Sequence, residues 1–213
     1  MARLRSFTLR NFRSYEDATL KLGSLTLLVG ANASGKSNAI EGLQMLSWLA
    51  RGQRLEDVFR AVQEAEMSIR GLPAHLARDG EQIFSFACEI RVREWSLLEV
   101  EIKHAGSELR INKESVKDDG EKVPLYAVKG RYSGGGLAVA YNNFSKGHNK
   151  PEIACTEQQA VFTQLLTPAR FNATHRKSQK TIPEVCSTFM NLVAKHSFSR
   201  SDAAADAESE FFG

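Results

Sequence analysis

Cysteine is scarce in this sequence: Cys88, Cys155 and Cys186 make up the whole set of 3. The three are scattered, with no C-x-x-C pair, so neither a disulfide framework nor a zinc site is indicated. They read as reduced core thiols of a cytosolic protein. No apolar run approaches the roughly 18 residues that a membrane-spanning helix needs. The amino terminus alternates Arg with Leu and Phe, unlike a secretion signal, so the expected location is cytoplasmic, without membrane contact. His75, His104, His148, His175 and His196 have no metal-ligand spacing. A strong charge of one sign is absent as well. The net charge of +3 does not by itself argue for nucleic acid. The balance is uneven, because residues 201–213 hold Asp202, Asp206, Glu208 and Glu210 and no base, which leaves +7 on residues 1–200. That excess suits phosphate-bearing partners without requiring them. The acidic, unpatterned stretch 201–213 is predicted to be a disordered tail. Internal repeats and heptad runs are missing too.

What is present begins at Gly30. Gly30-Ala31-Asn32-Ala33-Ser34-Gly35-Lys36-Ser37 fits G-x-x-x-x-G-K-[ST], the phosphate-binding P-loop, after the apolar run Leu25-Thr26-Leu27-Leu28-Val29 and before a helical pattern. Curled backbone N–H groups and the positive end of the following helix are suited to the dense charge of β- and γ-phosphates. Gly30 and Gly35 permit backbone angles that a Cβ forbids. Lys36 is expected to reach the phosphates and the Ser37 hydroxyl to ligate Mg²⁺. Ser34 and Asn38 either contribute to the site or simply favour the turn and the helix start. A nucleotide with Mg²⁺ is thus the expected ligand.

Around this motif the pattern is mixed. Residues 3–9 and Ala18–Leu22 read as a hairpin-like pair of strands, with Leu25–Val29 as the P-loop strand. Ala39, Leu43, Leu46 and Ala50 lie on one face of a helix from Lys36 to Arg51, capped by Gly52. A shorter helical segment follows at 54–66. Then Phe84, Phe86, Cys88, Ile90 and Val92 alternate with polar residues, as do Leu98, Val100 and Ile102, which predicts half-buried strands. Weaker strands at 109–111, 125–128 and 137–141, separated by turns, imply an antiparallel sheet and not βαβ units. From about Thr156 the pattern is helical again, with one segment around Ala160–Leu166 and another from Val185 to Ala194. Between them Arg170, His175, Arg176, Lys177 and Lys180 form a basic stretch, read as a solvated face in preference to a nucleic-acid contact. The expected organisation is a head over 1–200: a P-loop region at 1–52, a mainly antiparallel β region at 53–150 and a helical segment at 151–200.

The run Leu9-Arg10-Asn11-Phe12-Arg13-Ser14, two short strands, and then Gly30-Ala-Asn-Ala-Ser-Gly-Lys-Ser-Asn38 closely resembles the opening of RecF/SMC-type ATP-binding-cassette ATPases. It also resembles the heads of overcoming-lysogenization-defect-type nucleases and AAA-labelled defence ATPases. Firm resemblance covers about residues 2–50, and a weaker one continues to about 196. Ala33 stands where the pattern usually has glycine. The resemblance implies an α/β fold with a P-loop NTPase core and an antiparallel β subdomain. It implies ATP sandwiched between two heads in a homodimer, with hydrolysis coupled to DNA or to an effector nuclease. It places Arg13 and Ser14 near the nucleotide. It also suggests that Cys155-Thr-Glu-Gln-Gln-Ala-Val-Phe contains a glutamine loop, with Gln158 or Gln159 as the residue that orients water.

Several parts of such a head are not found. No run of four apolar residues ends in an acidic pair. The nearest, Leu97-Leu98-Glu99-Val100-Glu101, alternates like an ordinary strand. Ser133-Gly134-Gly135-Gly136 imitates a signature loop but precedes the glutamine segment, and reads as a flexible strand connection. Asn149-Lys150-Pro151-Glu152 approaches the guanine-reading N-K-x-D of GTPases, yet the chain has no D-x-x-G. The expectation is therefore a head incomplete at its C-terminus, which binds ATP with little turnover. The alternative is a truncated or regulatory nucleotide-binding module.

Overall fold

Alternation is the first thing the sequence imposes on the backbone. The computed structural model describes residues 3–64, 69–92, 94–106, 108–118, 123–147 and 149–195. The acidic stretch 201–213, His148 and His196 lie outside them. Strands β1 (Leu4–Phe12), β2 (Tyr15–Lys21), β3 (Ile83–Ile90), β4 (Leu97–Ala105), β5 (Glu108–Lys117), β6 (Tyr126–Arg131), β7 (Leu137–Tyr141) and β8 (Glu152–Cys155) form one sheet, in the order β2-β1-β3-β4-β5-β6-β7-β8. Every pairing is antiparallel. The sheet therefore runs without a break from the P-loop region into the β region. β8 carries too little apolar alternation to stand out in the sequence.

One face of the sheet carries the core. Phe7, Leu9 and Phe12 of β1 meet Phe84 and Phe86 of β3, with ring centroids 5.1–5.7 Å apart. Helix α1 (Lys36–Ala50) lies against them. The contact is close at Gly42, where a Cβ would sit 2.5 Å from Leu9 Cδ2, so only glycine lets the helix approach. α1 is buried well beyond the expected single stripe, because α4 (Arg176–Ala194) packs on its other side. α4 begins nine residues earlier than the apolar pattern suggested. Its first turns are cationic and Pro183 sits inside it, both of which hide a helix from sequence reading. The expected segment around Ala160 is only a four-residue helix, α3 (Val161–Gln164). Residues 54–64 form a short 3₁₀ turn and α2 (Val58–Gln63).

A bulge in β5 has a large consequence. Glu101 faces Lys113 and Ile102 faces Ile111, leaving Asn112 as the extra residue. Burial changes phase there, from Leu109 and Ile111 to Glu114 and Val116. Glu114 is thereby turned into the core.

The expected P-loop strand is the clearest departure. Residues 24–30 belong to no strand, and Leu25, Leu27 and Val29 are 79%, 76% and 90% exposed. The reason is pairing. An extended segment becomes a strand only when a neighbour takes its N–H and C=O groups, and none of the described residues does so. Ser133–Gly136 is the turn between β6 and β7: Tyr132 N donates to Gly136 O at 3.1 Å, and Gly135 and Gly136 take φ of +90° and +86°.

Candidate functional site

The site is built on the start of α1. Gly35 precedes the helix with φ +89°, and no side chain caps the helix, whose first turn holds no acid. A Cβ on Gly35 would lie 3.0 Å from Ser14 Oγ and 3.2 Å from the Tyr15 hydroxyl. Glycine is needed here both for its conformation and for the room it leaves. At Gly30 a Cβ would meet Ser34 Oγ at 3.0 Å. Ala33 takes φ +65°, a left-handed conformation that costs an L-residue about 1 kcal/mol or more.

Lys36 Nζ folds back across this loop. It donates to Ala31 O at 2.6 Å, to Ser34 Oγ at 3.2 Å and to Gly30 O. The ammonium therefore already sits inside the ring of the loop, held by neutral acceptors that an anion would replace with charge-assisted contacts. Asn32 lies in the exposed part of the loop, and Ser37 occupies the second helical position.

Behind the loop stands a polar network. Tyr15 OH donates to Gly35 O at 3.1 Å, and Asn38 Nδ2 donates to Ser14 Oγ at 2.8 Å. Arg70 donates to Asn38 Oδ1 at 3.0 Å and pairs with Glu41 Oε1 at 2.6 Å. Arg13 pairs with Glu41 Oε2 at 3.0 Å and donates to the carbonyls of His75, at 3.0 Å, and Arg70. Burial draws the Arg13 guanidinium below its usual pKa, against the opposing pull of Glu41.

Ser14 and Asn38 stand beside the loop. Arg13 gives its terminal nitrogens to Glu41 and two carbonyls, while its buried Nε has no hydrogen-bond partner among the described residues. It fixes the β1–β2 turn, at φ +56°, to α1. Sequence reading missed Tyr15, Glu41 and Arg70. The one available signal was Glu41, the only carboxylate of α1, set between Ile40 and Gly42.

Gln158 and Gln159 are not brought to the loop. Gln159 Nε2 donates to Gly52 O at 2.6 Å, and Gln158 Oε1 and its carbonyl accept from Glu56 N and Leu55 N at 3.1 and 2.7 Å. Both sit past the C-terminal end of α1, about 22 Å of helix away from Lys36. Their amides tie the segment after β8 to the chain leaving α1, so in this arrangement they position backbone and not water. Glu99 and Glu101 are on the sheet, held by Arg10, Lys113 and Lys117.

The residues present fit a nucleotide phosphate chain: two glycines where a Cβ would intrude, an uncapped helix start and a lysine in the loop. The Ser37 hydroxyl is the group that would hold Mg²⁺. Among the described residues no cluster of three or more His, Cys, Asp or Glu could hold a metal ion, and no helix is long and apolar enough to cross a membrane.

The profile of the AAA ATPase domain family matches residues 3–118. The DNA replication and repair protein RecF of Gloeobacter violaceus is 45% identical over 69 residues, which are 32% of this chain and 16% of that protein. RecF of Streptococcus gordonii is 36% identical over 72 residues, 32% of this chain and 20% of the relative. RecF of Caulobacter sp. is 51% identical over 47 residues, 22% and 12%. The chain thus matches about a sixth of the length of these curated relatives.

Proposed function

This chain belongs to the AAA ATPase domain family, matched over more than half its length, and from that premise we propose that it binds Mg-ATP through Gly30–Asn38 as the N-terminal part of a RecF/SMC-type head. The observation that carries the reading is the Lys36 ammonium lying within its own loop, beside an uncapped helix start. In this reading the backbone of 30–37 and Lys36 cradle the phosphates, Ser37 holds Mg²⁺, and Ser14, Asn38 and Tyr15 fix the loop's shape. Arg13 acts through Glu41 as a positioning residue.

Hydrolysis is a separate matter. Phosphoryl transfer to water needs a group that orients the water and several groups that stabilise the charge. Glu41 is the carboxylate the network brings nearest, and two guanidiniums hold it. Gln158 and Gln159 are engaged elsewhere. We therefore propose that the 213-residue chain binds ATP with little turnover, and that the remaining catalytic groups come from outside the described residues. The unpaired, exposed 25–29 segment supports this, since a strand so placed calls for neighbours. Assembly of two such heads, and coupling to DNA or an effector nuclease in the cytoplasm, follow from the resemblance to RecF/SMC-type proteins.

The test of binding is a calorimetric titration with Mg-ATP. Lys36→Ala should weaken affinity at least tenfold without unfolding the protein, since a charge-assisted contact contributes about 1.5–3 kcal/mol. Equal affinities for the two proteins would sink the assignment.

A further inference from the structure

The turn between β1 and β2 carries two left-handed residues close together. Asn11 and Arg13 take φ of +49° and +56°, a conformation that costs a residue with a side chain. The surroundings hold the turn in it. Phe12 is fully buried, pairs with Tyr15 across the turn and bridges to Ala77 on its other side. Arg13 N donates to Leu76 O at 2.9 Å, and the Arg13 side chain is fastened to Glu41 of α1. Strain that is held from both sides points to a turn whose position matters.

The turn delivers Ser14 and Tyr15 onto the start of α1. Both lie against the face of Gly35 that lacks a Cβ. Tyr15 OH donates to Gly35 O at 3.1 Å, and the same oxygen takes a helical hydrogen bond from Ala39 N at 3.1 Å. Helix ends fray, and the phenol adds a second anchor from outside the helix. Burial raises the Tyr15 pKa, so the hydroxyl stays a donor at neutral pH and well above it. A peptide unit is planar and trans, so its C=O and N–H point in opposite directions. Holding Gly35 O towards the body of α1 therefore turns the Lys36 N–H outward, to the mouth of the loop, where first-turn amides have no acceptor within the helix.

We propose that Tyr15 is a positioning residue for the phosphate chain: its hydroxyl sets the plane of the 35–36 peptide and so aims the Lys36 amide, separately from the Lys36 ammonium, at the bound anion. The proposal rests on the nucleotide reading above and deepens it, by adding a backbone donor whose direction is set from another strand. Glycine leaves the 35–36 peptide free to rotate. Without the hydroxyl that peptide spends part of its time in other orientations, and apparent affinity falls with the fraction of chains that are correctly arranged. Ser14 secures the far side of the same helical turn, where its Oγ accepts from Asn38 Nδ2 at 2.8 Å.

The experiment is calorimetric titration of the full chain with Mg-ATP and with magnesium tripolyphosphate, which has the phosphate chain without base or ribose. Tyr15→Phe keeps the ring and removes only the hydroxyl. It should weaken both ligands by the same factor, about threefold to tenfold, the range of one neutral hydrogen bond. Tyr132→Phe, at an exposed tyrosine beside the β6–β7 turn, should stay within about twofold of wild type. In amide NMR spectra of the ligand-free chain, the Lys36 signal should shift or broaden in Tyr15→Phe, while that of Gly52 beyond the far end of α1 stays in place. Equal affinity for Tyr15→Phe and wild type, an unmoved Lys36 signal, or an equal loss in Tyr132→Phe would overturn the proposal. So would a loss for Mg-ATP without one for tripolyphosphate, which would place the hydroxyl on the base or ribose. Lys36→Ala separates the two readings. If it loses affinity while Tyr15→Phe keeps it, the proposal fails alone; if it binds both ligands like wild type, the nucleotide reading fails and the proposal with it.

Discussion

Leu98, Val100 and Ile102 of β4 alternate with polar residues and are fully buried, while Leu25, Leu27 and Val29, in an apolar run interrupted only by Thr26, are largely exposed. The side chains of the two segments have nearly the same character, so composition does not decide between these outcomes. β4 has β3 and β5 on its two sides, with seven and nine residue pairs in register. Among the described residues no strand flanks the 25–29 segment. Burial in a sheet is a property of the neighbours, and a strand's own pattern states only that neighbours are wanted.

Mutations at equivalent places should therefore give unequal effects. Ile102→Ala empties a packed site and should destabilise the chain by about 2–5 kcal/mol in denaturant unfolding. Leu27→Ser belongs at the other end of the scale, within about 0.5 kcal/mol, as for an ordinary surface position. A Leu27→Ser loss comparable with that of Ile102→Ala would mean that 25–29 is covered in solution.

Between these extremes lies Glu114, a buried carboxylate of the paired region. Its carboxylate accepts from Tyr126 OH, Val161 N and Phe162 N, each at 2.7 Å. Burial pushes its pKa up to about 7 from an ordinary 4.5, although the three donors pull it down. A carboxyl whose folded pKa is raised stabilises the fold fully below about pH 4.5, and that contribution is lost as pH rises through about 7. Glu114→Gln removes the titration and leaves a buried donor without an acceptor, a cost of about 1–3 kcal/mol. Its deficit relative to wild type should be largest near pH 5 and narrow by pH 8. A deficit that is constant over that range would contradict the buried, titrating carboxyl.

The smaller effect expected within the loop is at Ala33. Ala33→Gly relieves a left-handed alanine and should stabilise the chain by up to about 1 kcal/mol, offset by the greater freedom of glycine in the unfolded chain. A destabilised Ala33→Gly would show that φ +65° is not the conformation in solution.

Much of this molecule was legible in the sequence for physical reasons. The Gly30–Ser37 motif has a fixed spacing because phosphates have a fixed size, and the strands β3 and β4 alternate over enough residues to reveal their period. Other features were hidden because they depend on partners distant in the chain. Glu114 lies beyond the weak strand read at 109–111, and the bulge at Asn112 that turns it inward leaves no periodic trace. The start of α4 was masked by Pro183 and by charges that the fold uses as a surface. Arg13 could be placed near the loop by resemblance, but the partner that claims it, Glu41, is 28 residues away. The glutamines at 158 and 159 had the right chemistry for water, and only the length of α1 reveals that they stand at its far end.

The Gly30–Asn38 loop is proposed to bind nucleotide while the described residues leave the catalytic site to be completed from elsewhere. Steady-state phosphate release by the purified 213-residue chain, freed of contaminating ATPases and with Lys36→Ala as the blank, tests it most directly. Removing one stabilising group often costs about a hundredfold or more in rate, so if several come from outside the described residues, as proposed, the wild type should match the blank within error while still binding Mg-ATP. Turnover near one per second that Lys36→Ala abolishes would contradict the account, and would direct the search for the catalytic carboxylate to Glu41, Glu99 and Glu101.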